Sequence, residues 1–188
     1  MSILQIQQAK RAGARLVIGI DALSGDGKTL SALYMAWGLA GGDASKIGFI
    51  CTENKRGALY ADKLVDKDGK VHPFNIAYLD APFTPERYSQ GIKEFQLFGV
   101  EVLVIDSVTH EWEGSGGCTD IAELDNTGNP RNLPAWNIAK SRHKKFMNTL
   151  LNSDMHIITC IRSREKVRLE KQNGKTVYIH EGIMPIQE

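Results

Sequence analysis

The sequence predicts an α/β domain: a parallel β-sheet between layers of helices, three layers in all, with a C-terminal β-hairpin. Three observations predict it. Short apolar runs at residues 16–18, 47–51, 76–79, 102–105 and 156–161 alternate with longer stretches of helical character, the order of a parallel sheet with helical crossovers. Residues 102–105 (VLVI) show no polar alternation, as expected of a strand buried on both faces. Asn173-Gly174, flanked by residues 166–170 and 176–180, is a hairpin turn signal.

Composition sets the outer limits. A chain of 188 residues with 42% hydrophobic content suits one domain with a substantial core, so residues 1–188 are read as a single unit. The net charge of +1 rules out a bulk polycation, so any nucleic-acid contact needs a local patch. Cys51, Cys118 and Cys160 have neither metal-ligand nor redox spacing; Cys51 and Cys160 close apolar runs and read as buried thiols. No signal peptide and no apolar stretch of membrane-spanning length is present. The expectation is a cytoplasmic, reducing setting and no membrane partner.

Residues 1–15 are polar and basic and read as an N-terminal helix or arm. The run 16–18 then enters a Gly-rich turn, Ser24-Gly25-Asp26-Gly27, followed by Lys28-Thr29-Leu30 and an apolar helical stretch. This strand–loop–helix setting is that of a phosphate-binding P-loop. Glycines let successive backbone N–H groups converge on phosphate oxygens, and the helix N-terminus adds partial positive charge. Lys28 supplies a full charge to the β/γ-phosphates, and the Thr29 hydroxyl is a ligand for Mg²⁺. The nucleotide-binding set is therefore Ser24, Gly25, Asp26, Gly27, Lys28, Thr29 and Leu30. Ala22 stands where the strict motif has its first glycine, the mildest replacement available.

The P-loop helix is expected to run to about Leu39, with Leu30, Leu33, Tyr34 and Trp37 on one face, and to end at Gly41-Gly42. A strand at 47–51 precedes a helical stretch at about 56–65, a turn at 67–70 and a short strand at 76–79. Thr84-Pro85-Glu86 opens the next helix, with a cap, a first-position proline and an acid in the first turn. Glycines and Pro130 make residues 113–133 read as a long loop, a kind of segment that is usually functional or disordered. A helix follows at about 134–151, with Trp136, Phe146, Met147, Leu150 and Leu151 facing the core. The last core strand, 156–161, leads into a hairpin at 164–181.

Asp106 ends the apolar run 102–105, at the sheet edge where the P-loop also opens, and so reads as the acid that holds Mg²⁺. Hydrolysis needs a further group to orient or deprotonate water. Glu53, just past the second strand, and Glu111, five residues after Asp106, compete for that role.

Resemblance separates them. The run Thr52-Glu53, the segment 54–64, the strand at 76–79 and Val104-Ile105-Asp106-Ser107-Val108 resemble, in that order, the core of RecA-like P-loop ATPases. More narrowly, residues 14–165 resemble compact phage-encoded ATPases of recombination and replication. The resemblance implies a RecA-like sheet, ATP and Mg²⁺ as cofactors, and Glu53 as the residue that activates water. It also implies a homo-oligomer, ring or filament, working on single-stranded DNA or with a DNA-processing partner. RecA-like ATPases place a polar phosphate sensor at the end of the last core strand, and Arg162 is the nearest match to it.

Arg162, Arg164, Lys166 and Arg168 alternate, so in extended chain they share one face. Arg162 and Arg164 foremost, and Arg168 with them, are the candidates to act on ATP, in the same or an adjacent subunit; DNA phosphates and a solvated strand face are the other readings. Trp112, Trp136 and Tyr60 are candidates to stack on adenine or on bases, with core packing the simpler role for Trp136. The expected function is Mg²⁺-dependent ATP hydrolysis in DNA recombination or replication. A P-loop small-molecule kinase and a non-hydrolysing nucleotide-dependent binding module stay open as alternatives.

Overall fold

The computed structural model describes residues 8, 13–124, 133–172 and 175–186. Its strands are β1 (Val17–Ala22), β2 (Ile47–Cys51), β3 (Asn75–Tyr78), β4 (Val102–Asp106), β5 (His156–Gln172) and β6 (Lys175–Pro185). Its helices are α1 (Lys28–Leu39), α2 (Pro85–Phe98), α3 (Thr109–Glu113), α4 (Cys118–Leu124) and α5 (Leu133–Leu151). The first five strands form a parallel sheet in the order β1-β5-β4-β2-β3, and β6 pairs antiparallel with β5. The predicted α/β class with a central parallel sheet is present.

Alternation along the buried strands divides the core in two. Val102 and Val104 of β4 pack with Ile158, Phe49 and the α1 residues Ala32, Leu33 and Ala36. Leu103 and Ile105 point the other way, to Tyr88 and Ile92 of α2 and Phe146 and Leu150 of α5. The period of two in a strand puts neighbouring side chains on opposite faces, which is why β4 is apolar throughout. A third, smaller cluster joins Trp112 of α3, Cys118 and Ile121 of α4, and Ala139 of α5.

Several local expectations need correction. The buried face of α1 is Ala32, Leu33 and Ala36; Tyr34 is 51% exposed and Trp37 half-buried. Leu33 is fully buried with Ala32 and Ala36, and Trp37 packs against the same cluster, so of the expected face only Tyr34 turns outward. The helical stretch expected at 56–65 is only a 3₁₀ turn, Arg56–Tyr60. The long loop expected at 113–133 contains α4, with residues 125–132 outside the described ones. Leu151 is exposed rather than core-facing.

The last core strand and the first hairpin strand are one continuous β5. Its first half pairs with β1 and β4, its second half with β6, with a register shift between Lys166 and Val167. Asn173-Gly174 itself lies outside the described residues, as does the N-terminal arm apart from residue 8 and residues 13–15. No helix among the described residues is long and apolar enough to cross a membrane.

Candidate functional site

Parallel register brings four strand ends to one edge of the sheet. Ala22 of β1 lies opposite Arg162 of β5, while Asp106 of β4 lies opposite both Cys160 of β5 and Cys51 of β2. Segments leaving the strands at this edge enclose a cleft, the usual ligand position in an open α/β sheet. Ser24, Gly25, Gly27, Lys28 and Thr29 line one side of it; Glu53, Asp106 and Arg162 line the other. Asp26 and Leu30 of the expected binding set do not line it. Asp26 closes the loop bend through its N–H to the Leu23 carbonyl, and Leu30 is half-buried on α1.

The loop takes its shape from Gly25 (φ 96°) and Gly27 (φ 81°), a left-handed conformation that a side chain would strain. Gly27 is the residue immediately before α1, so the first N–H groups of that helix face the cleft without a side-chain cap. The Lys28 ammonium donates to the carbonyls of Ala22 (2.9 Å) and Leu23 (2.7 Å), folding across the loop. At the second position of the helix, the Thr29 hydroxyl donates to Asp106 Oδ2 at 2.5 Å.

Asp106 is 6% exposed. Burial pushes its pKa up and the Glu53 carboxylate adds to this, against the Thr29 hydrogen bond and the charges of Lys28 and Arg162. A buried carboxylate and a hydroxyl side by side form an oxygen donor set suited to Mg²⁺, and Thr29 and Asp106 are the residues that would hold the ion. Bound there, the ion supplies positive charge to phosphate oxygens.

Glu53 follows β2 by two residues. The Thr52 side chain ties that strand end to β4: its hydroxyl accepts from Ser107 N–H at 2.8 Å and donates to the Ser107 carbonyl at 3.1 Å. Asn54 and Lys55 then take positive φ (42° and 63°), a bend that non-glycine residues adopt at a cost of about 1–3 kcal/mol each. Glu53 Oε1 accepts two hydrogen bonds from Arg162, from Nε at 2.9 Å and Nη2 at 2.7 Å. The Arg162 backbone N–H in turn donates to Thr109 Oγ1 at 2.8 Å. Tyr60 and Leu59 of the 3₁₀ turn close the outer side of the cleft.

Glu111 is not in the cleft. The helix α3 begins at Thr109 and carries it into the helical layer, where it is fully buried and paired with His143. Arg164 also departs from expectation: it does not line the P-loop cleft with Arg162. With Lys166 it lines a separate groove with Trp112, Trp136 and Lys140. Arg168 lies farther along, in exposed ion pairs with Glu170 and Glu181. Of the three aromatic candidates, Tyr60 alone borders the cleft; Trp112 and Trp136 stand 6.2 Å apart in the groove.

Sequence reasoning missed His110, whose Nδ1 lies 2.8 Å from Thr52 Oγ1 and whose pKa is held down by burial and then by Arg162. It also missed His143 and Cys118 beside Glu111. The approach of those three across 32 residues leaves no spacing pattern to find.

No curated protein matches the chain. The family model described as an AAA domain matches residues 14–185. With a P-loop, an acid-ended central strand and the matched sheet all on one edge, the chain belongs to that family, as an AAA-type P-loop ATPase domain.

Proposed function

We propose that this domain binds Mg²⁺–ATP and hydrolyses it as a RecA-like motor or recombination ATPase of the compact phage-encoded kind, acting on DNA as a homo-oligomer. One observation carries the hydrolytic reading: Lys28, Thr29, Asp106, Glu53 and Arg162 line a single cleft. The loop N–H groups and Lys28 bind phosphate oxygens, with Lys28 exchanging its two carbonyl partners for the ligand. Glu53 orients and deprotonates the attacking water. Both Arg162 bonds fall on Oε1, so Oε2 is the oxygen left to take the proton. Arg162 then serves as the phosphate sensor, moving its charge between Glu53 and the γ-phosphate of the same subunit.

Support for DNA comes from the groove: the half-buried Trp136, backed by the buried Trp112, offers ring surface, and Lys140, Arg164 and Lys166 offer charge, the combination single strands use. Arg164 is assigned here to nucleic-acid phosphate, or to the ATP of a neighbouring subunit. Phosphate release, measured with and without single-stranded DNA alongside sizing in ATP, tests the proposal. Release without any acceptor, raised by DNA, is the expected result. Release only in the presence of a small-molecule acceptor identifies a kinase; tight ATP binding with no release under any condition identifies a binding module.

A further inference from the structure

Behind the cleft, α3, α4 and α5 bring together three reactive side chains that nucleotide chemistry does not use. Glu111 is fully buried, with Oε2 2.8 Å from His143 Nδ1. Its other oxygen, Oε1, accepts from the Cys118 thiol at 3.4 Å. One donor atom from each residue lies within 4.8 Å of the other two. Ligands on one tetrahedral ion stand roughly 3.3–3.6 Å apart, so small side-chain rotations close the set around a metal. The His143 ring is braced edge-on by Trp112, with centroids 5.2 Å apart, and it keeps 23% of its side-chain surface exposed, which leaves an entry path.

The donor types are selective. A thiolate, an imidazole and a carboxylate are ligands of zinc-class ions, whereas Mg²⁺ takes oxygen. Charge also balances: a dication with one thiolate, one carboxylate and a neutral imidazole is net neutral, so no uncompensated charge is buried. Burial, then the Glu111 charge, push the Cys118 pKa upward, so the metal-free cluster holds a thiol. Binding therefore releases that proton to solvent as the sulfur–metal bond forms.

We propose that Glu111, Cys118 and His143 form a binding site for a divalent transition-metal ion of the zinc class, separate from the Thr29–Asp106 position, with water as the fourth ligand. The ion fastens α3 to α4 and α5, the corner that also carries Trp112 and Trp136 of the groove.

Cobalt titration into the chelator-treated full chain tests this. One equivalent of Co²⁺ should bind and give both a thiolate-to-cobalt charge-transfer band and the strong visible bands of tetrahedral cobalt; equimolar Zn²⁺ should erase them. Even outer-shell changes weaken metal sites by about 10–100-fold, so Cys118→Ser and His143→Gln should each weaken binding by at least about 100-fold. Cys118→Ser should also remove the charge-transfer band, which separates this site from the buried thiols Cys51 and Cys160. Absence of a thiolate band from the wild-type chain in excess cobalt overturns the proposal, and that reading does not depend on any variant folding. Unchanged cobalt affinity in both variants overturns it equally.

Discussion

Glu53 and Glu111 both lie shortly after a central strand, and the molecule uses them in opposite ways. Glu53 keeps 21% of its side chain exposed and meets a guanidinium in the P-loop cleft; Glu111 keeps none and meets an imidazole and a thiol between helices. What separates them is the backbone that follows each strand. After β2, the bend at Asn54 and Lys55 holds the chain at the sheet edge. After β4, α3 starts within three residues and turns Glu111 away from that edge. The same residue type thus stands accessible in the cleft in one place and buried between helices in the other.

The largest break to this contrast should come from Lys28→Ala. Its ammonium donates to the Ala22 and Leu23 carbonyls, so ATP binding or turnover should be abolished while the melting temperature stays near wild type. Wild-type turnover in this variant would show that the cleft is not the nucleotide site.

Next comes the direct comparison of the two acids. Glu53→Gln should keep ATP binding and lower phosphate release by about 100-fold or more, the scale of a lost general base. Glu111→Gln should leave turnover near wild type but cost about 1–3 kcal/mol in denaturant unfolding, because a buried charged hydrogen bond is weakened. The reverse pattern would exchange the two roles.

A smaller effect is expected at the groove. Arg164→Gln should weaken single-stranded DNA binding and reduce the salt slope by about 1, leaving DNA-free turnover unchanged. If DNA-free turnover instead falls, and is partly restored by mixing with Lys28→Ala chains, Arg164 acts on a neighbour's ATP.

Asp106→Asn should raise the Mg²⁺ concentration needed for turnover. It should also stabilise the nucleotide-free protein, and the sign follows from the raised pKa. Folding favours the protonated acid, so the ionised form destabilises the fold above the unfolded pKa, and fully so above the folded one. The gain from asparagine should therefore shrink as the pH is lowered, as read from melting curves.

The smallest effect belongs to Glu86, whose pKa is lowered chiefly by its hydrogen bonds from Arg142 and which is half exposed. Glu86→Gln should cost less than about 1 kcal/mol at neutral pH. A lowered pKa stabilises above the unfolded value, so the difference should disappear as pH falls through the folded one.

Features encoded by neighbouring residues were legible from the chain alone. Ser24 to Thr29 shape their own loop, because glycine dihedrals and the start of α1 are local matters. Residues 102–106 announce a buried strand ending in an acid for the same reason. Those stretches determined the α/β class and the phosphate loop and marked Thr29 and Asp106 as candidates, while sheet order brought the two into contact. The Glu53–Arg162 pair, by contrast, joins residues brought level by sheet register, with β5 running two residues past the level of Asp106. Tertiary structure alone also decided that Arg164 leaves the cleft, that Ala32 and Ala36 face the core while Tyr34 does not, and that His143 and Cys118 lie beside Glu111. Each depends on where an element packs after it forms, and packing joins residues whose separation along the chain carries no period.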